Sequence, residues 1–246
     1  MKNNYLANVE NYIDDKTIID INSQKFQRVM FLYRAALKEI ELKINTIQEE
    51  MKLFSNYDPI EYIKVRIKRP ESIIKKMRRR SLELTYENLY TNISDIAGIR
   101  IVCNFKKDVY NLLSIIENMQ DFRILTKKDY LKNPKQSGYM SYHLITEVPV
   151  ALSSGTIYVK VEIQIRTLGM DFWANIEHKL KYKNDEISPK QSKNLVKYAK
   201  VINNIDDNML TISNSVENKR ISKMIIEVAD NNDKNINPEG MSKFNM

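Results

Sequence analysis

Two acids, Asp95 and Glu162, stand in patterns that suit phosphate and metal chemistry, each with cationic or amide side chains near it. The densest cationic run is Arg66-Ile67-Lys68-Arg69-Pro70-Glu71-Ser72-Ile73-Ile74-Lys75-Lys76-Met77-Arg78-Arg79-Arg80. Alternation puts Arg66 and Lys68 on one face of a strand end. Pro70 then opens a helix in which Ser72, Lys76 and Arg79 or Arg80 fall on one stripe. A helix N-terminus beside such a stripe suits a polyphosphate, and a solvated basic face is the plain alternative. Asp95 precedes the apolar segment Ile96-Ala97-Gly98-Ile99, with Arg100 five residues on. That carboxylate could hold Mg²⁺ near a nucleotide, or could serve only as a turn or cap residue.

In Lys160-Val161-Glu162-Ile163-Gln164-Ile165-Arg166, period-two alternation puts Glu162, Gln164 and Arg166 on one face and the aliphatics on the other. Glu162 reads as a solvated carboxylate, or as the second acid of a metal site or a general base for a hydroxyl. Tyr139, Ser141 and His143 alternate onto one side of the next cluster. A tyrosine ring can stack on a purine and a histidine can donate to phosphate; a buried structural role is the ordinary alternative for His143.

Lys+Arg 39 against Asp+Glu 31 gives a net charge of +8, which favours anionic partners: nucleic acid, an acidic membrane or phosphorylated small molecules. With only 5 glycines the chain contains neither G-x-x-x-x-G-K-[ST] nor G-x-G-x-x-G, and zinc-type Cys/His spacings are missing. If phosphates are bound, side chains must do most of it. The lone Cys103 lies in an apolar run, which reads as a buried, inert thiol and suits a reducing cytoplasm. No apolar h-region follows Met1, and no segment approaches the roughly 18 apolar residues of a membrane span. The expectation is a soluble cytoplasmic protein without a membrane partner.

These residues must be positioned by the elements around them. Phe26, Met30, Tyr33, Leu37, Ile40, Ile44, Ile47, Met51 and Phe54 recur in steps of four and three, a long helix with a narrow seam. A second seam, Leu195 to Val216, follows a start signal at Ser188-Pro189. Each seam either packs on its own domain or joins subunits; Leu37 and Ile40 are expected at an interface. Strands are predicted over 61–68, 98–105, 141–148 and 156–167, with helices over 70–80, 107–119 and 168–182. That is an α+β, α/β-like architecture: a mixed sheet flanked by helices and bracketed by two long ones. The expected divisions are an N-terminal segment 1–22, a catalytic domain 23–183, a helical region 188–230 and a disordered tail 231–246.

In this order, RIKRPESIIKKMRRR, SDIAGIRIVCNF, KDYLKNPKQSGYMSYH and VEIQIRTLGMDFWANIEHKLKYK resemble the synthetase domain of the RelA/SpoT family, over roughly 60–183. The resemblance implies a nucleotidyltransferase-like synthetase fold of the small alarmone synthetase branch. It implies a GTP pyrophosphokinase that moves pyrophosphate from ATP to the 3′-OH of GTP or GDP, or of GMP, releasing AMP, without a hydrolase. Arg66 and Arg100 would sandwich adenine. Lys68, Ser72, Lys76 and Arg79 would hold the donor's phosphates. Asp95 would bind Mg²⁺, while Glu162 would share that ion or activate the acceptor hydroxyl. Tyr139 would stack on guanine, Lys128, Lys135 and His143 would meet the acceptor's phosphates, and Gln164 would line the pocket.

Two positions depart from the family pattern. Met140 stands where relatives often carry arginine. Asp171 replaces an asparagine used near the guanine, where its carboxylate either accepts from the base or repels a polyanion. The family also implies a homo-oligomer, a tetramer above all. A basic RNA-binding module with weak or lost catalysis is the alternative from another class, although the helix near Lys75 offers charge without an aromatic platform.

Overall fold

The computed structural model describes residues 17–183 and 188–234. Helix α1 (Gln24–Ser55) starts where the Ser23 hydroxyl accepts from the Phe26 amide at 3.1 Å, and it stops at Asn56, whose φ of 49° is left-handed. Five strands follow: β1 (Ile60–Ile67), β2 (Ala97–Cys103), β3 (Arg123–Asp129), β4 (Tyr142–Leu152) and β5 (Gly155–Thr167). Among them lie α2 (Pro70–Arg79), α3 (Tyr86–Asn92) and α4 (Lys106–Asn118), and α5 (Leu168–Lys183) and α6 (Pro189–Lys234) close the chain.

The strands form one mixed sheet in the order β1-β2-β5-β4-β3, in which only β2 and β5 run parallel. One face is largely aliphatic: Ile99 and Ile101 of β2, Leu144 and Val148 of β4, and Val161, Ile163 and Ile165 of β5 are all buried. Helices α1 and α4 cover that face within a single apolar core. The seam of α1 is spent there. Leu37 and Ile40 are 4% and 0% exposed against the chain's own sheet, so their expected place at a subunit interface is corrected. Hydrophobic periodicity marks a face to be covered and says nothing of what covers it.

Two elements lay outside the sequence reading. Helix α3 is seven residues long, too short for periodicity to register, and is set by Thr85 accepting from the Asn88 amide. Strand β3 is the sheet edge; most of its side chains are exposed, so it carries no alternation to read. Helix α6 runs past Asn231 to Lys234, and the rest of the expected tail lies outside the described residues. Its seam divides. Leu195 and Ile202 pack on Trp173 and Ala199, whereas Ile205, Met209, Ile212 and Val216 are exposed.

Candidate active site

The second face of the sheet is polar, and strand register stacks its side chains in rungs. One rung runs Lys64, Arg100, Gln164, His143, Lys128 across all five strands. The next runs Arg66, Gly98, Glu162, Ile145, Thr126. Because β2 and β5 are parallel, residues more than sixty positions apart in sequence become neighbours at a fixed separation. A cavity of about 500 Å³ opens over the β1-β2-β5 side of these rungs, with Arg66, Lys68, Asp95, Arg100, Glu162 and Gln164 among its lining residues.

Asp95 enters this cavity from the turn between α3 and β2. Its two carboxylate oxygens take the ammonium groups of Lys68 at 2.8 Å and Lys76 at 2.7 Å. Lys68 arrives from just past the end of β1, where its amide is tied to the Ile96 carbonyl at 2.8 Å, and Lys76 from the second turn of α2. Burial pushes the Asp95 carboxyl up, but the two ammonium groups outweigh it and hold the group below the usual carboxylate range. Ser72 is half-buried on α2 and Arg79 is exposed; neither lines the cavity.

Glu162 occupies the centre. Gln164 Nε2 donates to its Oε2 at 2.8 Å, and His143 Nδ1 lies 3.4 Å from Oε1. Burial again pushes this carboxyl up, and hydrogen bonding to His143 and Gln164 brings it below its ordinary value, with Asp95 opposing. The remaining bonds orient the imidazole. Arg166 can only donate, and its NH2 reaches the Tyr139 hydroxyl oxygen at 3.0 Å. That leaves the Tyr139 hydrogen for His143 Nε2 at 2.9 Å, so the tautomer that satisfies every member carries its hydrogen on Nδ1, toward Glu162.

Tyr139 and His143 come together as the alternation implied, together with Tyr130, whose ring meets both edge-on. Ser141 is buried, its hydroxyl within hydrogen-bonding reach of Tyr139 and donating to the Ile165 carbonyl at 3.1 Å. Lys135 stands over the Tyr130 and Tyr139 rings at 4.6 and 4.7 Å, and Arg166 lies 5.3 Å from the Tyr139 ring centre. Gly138 makes this turn, since its φ of +90° suits glycine and a Cβ there would come 2.7 Å from that of Ala199 on α6. Met140 is buried beside it and is not among the residues lining the cavity.

Asp171 is 1% exposed and is not among the residues lining the cavity on the β1-β2-β5 side. Its oxygens are taken by Arg100, Tyr62 and Asn175. Lys64 is a residue that the sequence reading missed. It lines the cavity, and its parity with Arg66 and Lys68 was the available signal.

A family model described as the region found in RelA / SpoT proteins matches residues 65–187. The chain belongs to the RelA/SpoT family. Among its relatives, the GTP pyrophosphokinase YwaC of Bacillus subtilis is 40% identical over 84% of this chain and 97% of its own length. The GTP pyrophosphokinase YjbM of the same organism is 35% identical over 80% of this chain and 92% of its own. Of solved structures, the small alarmone synthetase 1 of Bacillus subtilis bound to its product pppGpp superposes with a TM-score of 0.73 at 36% identity, covering 79% of this chain and 99% of that one. A GTP pyrophosphokinase family protein from Streptococcus pneumoniae gives 0.73 at 34%, covering 80% and 97%. The RelA/SpoT match takes in most of the polar face just described, from Arg66 to Asp171, and the five-stranded mixed sheet is the fold of these synthetases.

Proposed function

We propose that this protein transfers the pyrophosphoryl group of ATP to the ribose 3′ oxygen of a guanine nucleotide. The acceptor would be GTP or GDP, with GMP as a further one, and AMP would be released. The observation that carries this reading is the position of Glu162. On one side of it lie Arg66 and Arg100, with Lys68 and Asp95 at the cavity rim, and on the other His143 and Lys128 of the same sheet face. The relatives' activity as GTP pyrophosphokinases and the neighbour's pppGpp support the same assignment.

In this reading adenine lies between Arg66 and Arg100, and Lys68, Ser72, Lys76 and Arg79 meet the donor's phosphates. Lys68 and Lys76, held by Asp95 in this structure, would turn from it to the incoming phosphates. Tyr139 receives guanine once Lys135 swings off its ring, and Lys128, Lys135 and His143 contact the acceptor's phosphates, with Gln164 on the wall. Among the described residues there is no group of three or more His, Cys, Asp or Glu suited to a metal. Asp95 and Glu162 would therefore hold Mg²⁺ as a carboxylate pair, the arrangement that suits an ion drawing its other ligands from water and phosphate. Bound there, the metal would neutralise charge on the transferring group. The acceptor's 3′ oxygen bonds to the β-phosphorus, the bond from that phosphorus to the α–β bridging oxygen breaks, and AMP departs. Glu162, a carboxylate held below its ordinary range by His143 and Gln164, would either share the metal ion or accept the hydroxyl proton.

A homo-oligomer, a tetramer above all, would use the exposed stretch of the α6 seam from Ile205 to Val216. No helix among the described residues is long and apolar enough to cross a membrane, and a cytoplasmic location belongs to the same reading. The basic face of α2 bears no aromatic side chain, so the RNA-binding alternative lacks its stacking platform.

The experiment is one reaction: protein, Mg²⁺, GTP and ATP labelled in the β-phosphate, resolved by chromatography. Label on a guanosine product, AMP released, and both lost in Glu162→Gln are the expected results. No label moving to GTP, GDP or GMP would overturn the assignment.

A further inference from the structure

Asp171 is a carboxylate sealed beneath the cavity and never in contact with it. It sits one turn into α5, directly after β5, so the helix drops it and Asn175, four residues on, onto the end of the polar face. There its Oδ1 takes Arg100 NH1 at 3.1 Å and lies 3.6 Å from Arg166 NH1. Its Oδ2 accepts from the Tyr62 hydroxyl at 2.5 Å and from Asn175 Nδ2 at 2.6 Å. Arg100 NH1 also donates to Asn175 Oδ1 at 3.2 Å.

Arg100 is a half-buried side chain with cationic Lys64 as its rung neighbour. Its Nε has no hydrogen-bond partner, so NH1 is the atom by which this cluster holds the guanidinium. Anchoring one nitrogen of a rigid planar group fixes the direction of the whole plane, and releasing it returns several rotatable bonds to the side chain. We propose that Asp171, itself held by Tyr62 and Asn175, is a positioning residue for the donor nucleotide, acting by fixing the Arg100 guanidinium at the cavity wall. The proposal rests on the pyrophosphokinase reading and assigns Asp171 to the donor half of the site, not the acceptor half.

An isosteric exchange should be enough to break the device. In Asp171→Asn one carboxylate oxygen becomes an NH₂ group. If that group faces Tyr62 and Asn175, it meets the Asn175 amine head-on. If Asn175 flips to relieve this, its own amine turns to Arg100 NH1. Placed at the Oδ1 position instead, the NH₂ group would itself face Arg100 NH1, so every arrangement sets two donors against one another within the cluster that holds the Arg100 guanidinium. Tyr62 is a donor at every accessible pH, because burial and the Asp171 carboxylate push its phenol up to about 12. Tyr62→Phe therefore removes one support of Asp171 and leaves the rest intact.

The test is calorimetric titration of the full chain with AMPCPP, alongside acceptor KM from the labelled assay and melting temperature. Asp171→Asn should weaken AMPCPP about 5- to 30-fold, and Tyr62→Phe and Asn175→Ala about 2- to 5-fold, with acceptor KM within about twofold of native. In an Arg100→Ala background, Asp171→Asn should cost no further AMPCPP affinity. Unchanged AMPCPP affinity with a raised acceptor KM would overturn the proposal and return Asp171 to the guanine. So would equal losses in both affinities tracking the melting temperature. If Asp171→Asn fails to fold, Tyr62→Phe carries the same comparison. Failure of the pyrophosphokinase reading itself is visible earlier, as native protein that neither binds AMPCPP nor transfers label, and it takes the proposal with it.

Discussion

Gly98 and Glu162 are register partners in the parallel β2–β5 ladder, with Arg66 facing Gly98 from the other side. A residue without a side chain therefore lines the cavity between Arg66 and Glu162. A Cβ placed at Gly98 would meet only backbone, at 3.8 Å from the Glu162 carbonyl oxygen, which is ordinary contact. Space on the backbone side is not what calls for glycine here. The space above it is.

Gly98→Val should accordingly fold, since a β-branched residue suits a strand, while filling the floor between Arg66 and Glu162. Label transfer should fall by roughly 10-fold or more, through a raised donor KM, with the melting temperature within about 4 °C of native. Product formation and thermal melts, taken on the same preparation, check both halves.

Gly138 should behave in the opposite way. Its φ of +90° and the 2.7 Å approach of an added methyl to Ala199 mean that Gly138→Ala strains the backbone and pushes on α6 together. A loss of about 1–3 kcal/mol in stability is expected, measured by denaturant titration. Because the same turn carries Tyr139, acceptor KM should rise more than donor KM.

The contact between the end of β5 and α6 should respond to pH through Asp206. Its carboxylate accepts from the Thr167 hydroxyl at 2.5 Å, and burial pushes it above the usual range despite that bond and Lys106. A carboxyl raised in the folded state binds more protons there than when unfolded. Between the unfolded value of about 4 and the raised folded value, stability therefore falls as pH rises. Asp206→Asn should remove this dependence, being at least as stable as native at pH 7, with the difference closing toward pH 4. Melting temperatures across that interval, with a gap that widens on acidification, would contradict it.

Much of the site was legible because strands repeat every two residues. Glu162 and Gln164 share a face by parity alone, and so do Arg66 and Lys68 at the end of β1. The same rule put Arg166 with them, and it does lie on that face, but parity could not show that α5 would bury it at 1% exposure. Parity also grouped Ser141 with Tyr139 and His143, and Ser141 does reach Tyr139, but parity could not show that it would be fully buried with its hydroxyl on the Ile165 carbonyl.

By itself the sequence determined the elements with strong periodicity, the order of the motifs and therefore the family, because local side-chain patterns report local geometry. Tertiary structure decided what those faces meet. It turned the seam of α1 onto the sheet and left the α6 stretch from Ile205 to Val216 exposed. It set Arg100 beside Gln164 through parallel pairing, and it paired the Asp171 carboxylate with Arg100. Each of those outcomes depends on residues tens of positions apart meeting in space, and a one-dimensional pattern holds no term for that distance.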